Sequence, residues 1–412
     1  MSLQPSFCLG LEVCLDDPPG VLRGARFGLL ANQASVDHRF RYAWDVLAER
    51  FPGRLAAIFS PQHGLFGEEQ ANMIETGHST HPRLGVPVHS LYSETRRPTV
   101  EMLDGLDALV VDLQDVGTRI YTFLWTVSHC LEACAAAGIP VVLLDRPNPL
   151  GGEIIEGPPL DPAFASFVGR AAIPMRHGLT LGELTRLVNE ELSIGAELTV
   201  VPMQGWSRSM RFADTGREWL APSPNLARLE AVAVYPGQVL LEGTNLSEGR
   251  GTTTPFELVG APCIAPDALA DALHSLNLDG VQFRPVRFRP TFDKWSGESC
   301  GGVFLHVTDA ETFRPYRTTV AVLAAVKVLC SGPETRCRGT HRVSSEFRWL
   351  DPPYEYETER RPVDILSGSS RLRETIEAIE AIETVELKTI DALCRFDEAA
   401  WRRRTEAYRI YD

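Results

Sequence analysis

Four stretches in the first 150 residues repeat one pattern. Each is a short, β-branched-rich apolar run that ends abruptly in polar residues: ARFGLLANQAS (25–35), AAIFSPQHG (56–64), ALVVDLQDVG (108–117) and IPVVLLDRPNPLGG (139–152). None alternates strictly between apolar and polar, which is the signature of strands covered on both faces of a parallel sheet. Helical stretches lie between them, at Trp44–Arg50 and at Ile120–Ala137, the second stopped by Gly138. Strand and helix in alternation predict an α/β fold, a Rossmann-like open and mostly parallel sheet with right-handed crossovers.

Farther along, Leu181–Leu192 reads as an amphipathic helix with Thr180 as its cap. Residues 239–262 form a glycine-rich polar stretch suited to tight turns. From about 264 the texture changes. Helices at Pro266–Leu276, Val320–Leu329 and Leu372–Ile382 mix with short strands such as GGVFLHVTD. Two domains are expected: residues 1–263, an α/β unit carrying most of the site, and residues 264–412, a smaller α+β unit that closes a cleft.

The polar residues fall at a regular place. Asn32 and Gln33, Gln62 and His63, Asp112 to Asp115, and Asp145 to Asn148 each follow the carboxyl end of a predicted strand. Open α/β sheets bind ligands in the crevice outside those ends, so the four clusters are expected to form one rim.

Charge and composition narrow the ligand. The net charge of −14 disfavours nucleic acid and anionic membrane surfaces as partners, and no apolar run is long enough to span a bilayer. The nine cysteines are scattered with no C-x-x-C pair, which fits buried, reduced thiols. The N-terminal MSLQPSFCLGLEVCLDD lacks the basic and apolar regions of an export signal, which points to the cytoplasm unless a leader has been trimmed. Neither G-x-G-x-x-G after a strand nor a P-loop, H-E-x-x-H or G-x-S-x-G is present, so no dinucleotide cofactor, metalloprotease zinc or serine elbow is expected. His78 and His81 have zinc-compatible spacing, but the prolines around them read as a loop, and no metal is expected.

What remains is rich in carboxylates, amides, guanidinia and aromatics. Amides and acids bind hydroxyls, aromatic faces bind sugar C–H surfaces, and glycoside cleavage needs a carboxyl kept protonated. The acids within reach are Glu68, Glu69, Glu75, Asp112, Asp115, Glu242 and Glu248. Arg119 and Arg250 have the planar fork that clamps a ligand carboxylate. Two other readings stand beside hydrolysis. One is a sugar-binding protein without catalysis. The other is an anion-handling enzyme that uses the turn at Ser247–Thr254 as a backbone nest for phosphate.

Taken in order, FGLLANQAS, SPQHGLFG, VPVHSLYS, LVVDLQDVGTRIYTF, DRPNPLGG with EGPPL, PMRHGLTLGEL, PSPN, YPGQVLLEGTNLSEGRGTTTPFELVGAP, PYEYE and DILSGS resemble the NamZ-type exo-β-N-acetylmuramidases (glycoside hydrolase family 171, formerly a domain of unknown function) nearly end to end. The resemblance implies a Rossmann-like domain and a smaller C-terminal domain with the site between them. It also implies removal of N-acetylmuramic acid from the non-reducing end of peptidoglycan fragments during cell-wall turnover, without a cofactor. It suggests Glu75, Asp115, Glu242 and Glu248 for catalysis. For the substrate it suggests Asn32, Gln62, His63, Asp112, Gln114, Arg119, Tyr121, Arg146, Asn148, Asn245 and Arg250. The oligomeric state is open. One departure stands out: the family pattern has a glutamate before His-Gly, whereas this chain has Gln62. An amide is not a proton donor of the required kind, so another carboxyl, with Glu75 foremost, is expected to act as the acid.

Overall fold

The structure is a computed structural model that describes residues 7–412 apart from 72, 331–345 and 383–384. Its described strands are β1 (Phe27–Ala31), β2 (Leu55–Ser60), β3 (Ser79–Thr80), β4 (Pro87–Ser90), β5 (Ala108–Asp112), β6 (Val141–Leu144), β7 (Leu198–Val201), β8 (Leu258–Ala261), β9 (Val281–Phe288) and β10 (Cys300–Val307). The first seven form one sheet in the order β3-β4-β2-β1-β5-β6-β7, parallel throughout except where β3 meets β4. Without the short β3, the parallel strands run third-second-first-fourth-fifth-sixth in chain order. That is the doubly wound order, with its switch point between β1 and β5.

The lack of alternation in these strands now has its cause. Leu29, Ile58, Val110 and Val142 face one core with Leu11 and Trp44. Their neighbours Leu30, Phe59, Val111 and Leu143 face the other, with Leu124, Trp125 and Leu131 of the helix Phe123–Ala137. Successive side chains point to opposite faces, and both faces are covered. That helix begins later than its apolar pattern predicts. Ile120–Thr122 form a turn in which the Trp125 indole donates to the Arg119 carbonyl, and Gly138 ends the helix in the left-handed region at φ 68°. Thr180 caps Leu181–Glu191 through a reciprocal box with Glu183.

The expected loop around His78 and His81 contains β3, which pairs with β4. The His81 imidazole accepts from the Leu84 amide of its own turn, and that of His78 accepts from the Ser90 amide at the end of β4. Strands β8, β10 and β9 form a separate antiparallel sheet. The helix Pro315–Leu329 carries it against the helix Leu229–Gln238. There Gly237 is required, because a Cβ would stand 2.0 Å from the Pro315 carbonyl oxygen. Among the described residues no helix is long and apolar enough to cross a membrane.

Candidate active site

Segments far apart in the chain meet at one small cavity. Gln62 and His63 follow β2, Tyr121 and Thr122 precede the long helix, and Ser223 and Asn225 come from a proline-rich loop. Glu242 sits on the 3₁₀ turn Val239–Gly243, Arg250 on the glycine-rich stretch, and Tyr354 and Glu355 on a late turn. The enclosed volume is about 40 Å³. A second cavity, of about 390 Å³, shares Glu242, Arg250 and Tyr354 and adds Phe292, Asp293 and Lys294 from the β9–β10 connection.

Glu355 is the distinctive group. It is buried and 4 % exposed. Burial pushes its carboxyl up to about 7; Glu242 opposite adds to this, while the Tyr92 hydroxyl, the Gln62 amide and Arg96 work against it. Tyr92 donates to Oε2 at 2.8 Å and Gln62 Nε2 to Oε1 at 3.3 Å. The Gln62 carboxamide has a fixed orientation, since its oxygen accepts from Thr122 Oγ1 at 2.9 Å. The turn that presents Glu355 is unusual: Glu355 and Tyr356 both adopt left-handed backbone, φ 46° and 68°. Such conformations cost on the order of 1–3 kcal/mol each and persist where surrounding contacts enforce them.

Across the cavity, Arg250 joins two carboxylates. Nη2 donates to Glu242 Oε1 at 2.7 Å and Nη1 to Glu248 Oε1 at 2.6 Å. The second Glu242 oxygen accepts from Tyr354 at 2.5 Å, and that of Glu248 from Lys294 at 2.9 Å. Desolvation would raise the Glu248 carboxyl, but Lys294 and Arg250 overcome it and hold it at about 2. The Arg250 Nε–H is buried with no partner in the protein. His63 is buried and its pKa falls to about 4, chiefly by desolvation, so the ring is neutral. Nδ1 faces the Glu69 carbonyl at 2.7 Å and must carry the proton, which leaves Nε2 as an acceptor.

Of the residues expected from sequence, Gln62, His63, Tyr121, Glu242 and Arg250 meet at the cavity, with Glu248 behind Arg250. The rest of the strand-end rim is directed elsewhere. Asp112 and Arg146 form a buried two-pronged pair at 2.5 and 2.8 Å, next to a separate cavity of about 120 Å³ that Gln114 also lines. Asn32 ties its loop to the Pro222 carbonyl, Asn148 to the Leu179 carbonyl, and Asn245 to the Glu346 and Arg348 backbone. Asp115 caps the Gly117 amide at 2.6 Å and faces His177 at 3.6 Å. Arg119 is fully buried, donates to the Leu366 carbonyl, and is pushed down to about 10 by desolvation. Glu75 lies outside the cavity, where it accepts from the exposed Tyr356 hydroxyl. Part of the backbone nest is spent internally: the Ser247, Gly249, Thr252 and Thr254 amides donate to Gly260 O, Ser247 Oγ, Gly249 O and Thr252 Oγ1.

Asp112→Ala tests the structural reading of the strand-end pair. Unfolding free energy should drop by about 2–3 kcal/mol in urea titrations. That is less than for a sealed pair, because the neighbouring cavity gives Arg146 access to water. Ligand binding at the Glu355 cavity should be unchanged.

Sequence reasoning missed Glu355, Tyr92, Tyr354 and Lys294. PYEYE was visible as a motif, but nothing in its spacing says that it folds back onto Gln62, 293 positions earlier.

Family models for the exo-β-N-acetylmuramidase NamZ match the chain in two parts, the N-terminal one over residues 27–230 and the C-terminal one over 233–411. A Bacillus subtilis (strain 168) protein, the peptidoglycan β-N-acetylmuramidase NamZ, is 47% identical over 323 residues, 78% of this chain and 78% of that protein. Two crystal structures of DUF1343 family proteins from Bacteroides fragilis NCTC 9343 superpose on it. One has a TM-score of 0.85 at 31% identity over 99% of both chains. The other has 0.72 at 26% identity over 98% of this chain and 99% of its own.

Proposed function

The chain belongs to the exo-β-N-acetylmuramidase NamZ family, and from that premise we infer that Glu355 is the acid with which it cleaves peptidoglycan-derived glycans. It is a glycoside hydrolase that removes N-acetylmuramic acid from the non-reducing end of the glycan. The observation that carries the assignment of the acid is a carboxyl held near 7 in the wall of a cavity whose opposite wall is an ion-paired glutamate.

The reacting carbon lies at the junction of the two cavities, where Glu242, Arg250 and Tyr354 belong to both. Glu355 gives its proton to the glycosidic oxygen as the bond from C1 to that oxygen breaks. Positive charge then develops on C1 and the ring oxygen, and Glu242 provides the facing negative charge. Water supplies the new C1–O bond, and its proton restores Glu355 or leaves to solvent. The lactyl carboxylate peculiar to muramic acid goes to the Arg250 and Lys294 side, where the Arg250 Nε–H has no protein partner. His63 Nε2 accepts from a sugar hydroxyl.

Turnover of chromogenic N-acetylmuramide and N-acetylglucosaminide glycosides tests this. The first should be cleaved and the second, which lacks the lactyl acid, should react about 10- to 100-fold more slowly, the scale of a lost charge-assisted contact. Equal rates on both would overturn the assignment of the carboxylate site.

Gln62 leaves the site its acid, because the proton resides on Glu355. Gln62→Glu would bring a second carboxyl within hydrogen-bond reach of the first, and two such groups share a proton. The alkaline limb of kcat/KM should move up by about one pH unit or more with turnover retained. An unmoved limb would mean that Glu355 is not the titrating acid.

A further inference from the structure

Resting on the assignment of Glu355 as the acid, we propose that Arg96 is its positioning residue, a cation clamped between Tyr92 and Tyr356 that holds the acid-bearing turn against the cavity. Tyr92 is the residue whose hydroxyl donates to Glu355, and Tyr356 is the residue that follows Glu355. The Arg96 guanidinium carbon lies 4.0 Å from the Tyr92 ring centroid and 4.2 Å from that of Tyr356. One side chain therefore fixes both the hydrogen-bond donor and the backbone of the acid.

The rest of the guanidinium is anchored on the Rossmann-like side. Nη1 donates to the Ser93 carbonyl at 2.6 Å and Nη2 reaches Glu75 Oε1 at 3.4 Å. Tyr356 donates to the same Glu75 oxygen at 2.9 Å, which closes a ring of three residues. The turn needs such an external hold. Its own backbone bonds join Tyr354 to Glu357 at 2.9 Å, but they do not fix where the two left-handed residues face. Planarity matters here, because an ammonium does not stack between two rings as a guanidinium does.

The charge acts in the same direction. The groups facing Glu355 are Glu242 on the 3₁₀ turn, Tyr92 and Gln62 from the strand ends, Tyr354 and Tyr235, with Arg250 beyond Glu242 and Glu75 beyond Arg96. Glu242 favours the protonated acid, and Arg96 favours the anion left after proton transfer. Removing the Arg96 charge should therefore raise the pH at which the acid is lost.

The test is kcat and KM against pH for the full-length protein on a chromogenic N-acetylmuramide, with thermal midpoints recorded for each variant. Arg96→Met should lower kcat by about 10- to 100-fold, the scale of a misplaced catalytic group. KM should stay within about threefold and the alkaline limb should rise by about half a unit to one unit. Arg96→Lys should return the limb toward the parent position without restoring kcat. Tyr356 is 57% exposed, so its variants fold independently of this question. Tyr356→Leu, which loses the stack, should lose about 10-fold or more in kcat, whereas Tyr356→Phe, which keeps the stack and loses only the bond to Glu75, should lose clearly less. The proposal is overturned if Arg96→Met keeps the parent limb and kcat, or if Tyr356→Leu matches Tyr356→Phe. Glu355→Gln, run alongside, separates the two ideas. Full activity there sinks the acid assignment itself, while an inactive Glu355→Gln beside parent-like Arg96 and Tyr356 variants sinks only this one.

Discussion

Glu355→Gln should lose at least about 1,000-fold in kcat on N-acetylmuramides, within the range that a positioned general acid contributes, and should be more stable than its parent at pH 8. The two effects share one cause. A carboxyl that ordinarily titrates near 4.5 is held at about 7 by burial and by Glu242. The folded state therefore keeps a proton that the unfolded chain has released. Between pH 4.5 and 7 the unfolded state binds fewer protons, so this group costs stability as pH rises, up to about 3 kcal/mol by linkage at 1.36 kcal/mol per unit. Below about 4.5 both states are protonated and the cost vanishes. The amide is neutral at every pH, so the stability gain of the variant should grow from pH 4.5 to 7 and level off above. Urea titrations at pH 4.5 and 8 measure it. A difference independent of pH would show that Glu355 is not held protonated. On the kinetic side, the parent kcat/KM should fall with an alkaline limb near 7, as expected for an acid that must carry its proton.

How much of this was legible in the chain depends on range. The sheet was readable because its signal is local: Phe27–Ala31 and Ala108–Asp112 are buried at every position, and only strands covered on both faces lack alternation. The rim was readable as polar but not as to purpose. Asn32 and Asn148 tie their loops to the distant Pro222 and Leu179 carbonyls, Asp115 caps the Gly117 amide, and Asp112 neutralises Arg146, so the carboxyl ends of buried strands carry polar residues for structural reasons as well as catalytic ones. Glu242, Glu248 and Arg250 were found because they are close in sequence. Glu355 was not, because its role comes from a turn meeting Gln62 and Tyr92 across more than 260 positions. Glu75 was near in sequence to the Gln62 position and still ended at the surface, where its carboxylate meets Tyr356 and Arg96 and not the cavity.

Arg250→Met should abolish turnover and destabilise the fold by about 3–5 kcal/mol at pH 7, the scale for removing one partner from a buried ion pair. Arg250 is buried between two glutamates, and each would lose the guanidinium while keeping a neighbouring donor: Glu242 has Tyr354, Glu248 has Lys294. The pH dependence follows from Glu248. Its folded pKa of about 2 lies below the ordinary 4.5, so the stabilisation it provides is present above 4.5 and lost as pH falls toward 2. Without Arg250 that depression shrinks. The penalty of the variant should therefore be largest at neutral pH and smaller at pH 3, where the unfolded chain's carboxylates are already protonated. Adding Glu248→Gln to Arg250→Met should recover part of the stability, because one of the two buried carboxylates that lost the guanidinium is gone. It should recover none of the activity, because Glu242 still lacks the Arg250 guanidinium and the lactyl carboxylate has lost its donor. Arg250→Lys should lose activity too, since a single ammonium does not bridge both carboxylates in the two-pronged geometry. A penalty equal at pH 7 and pH 3 would show that the cluster is held by packing and not by its charges.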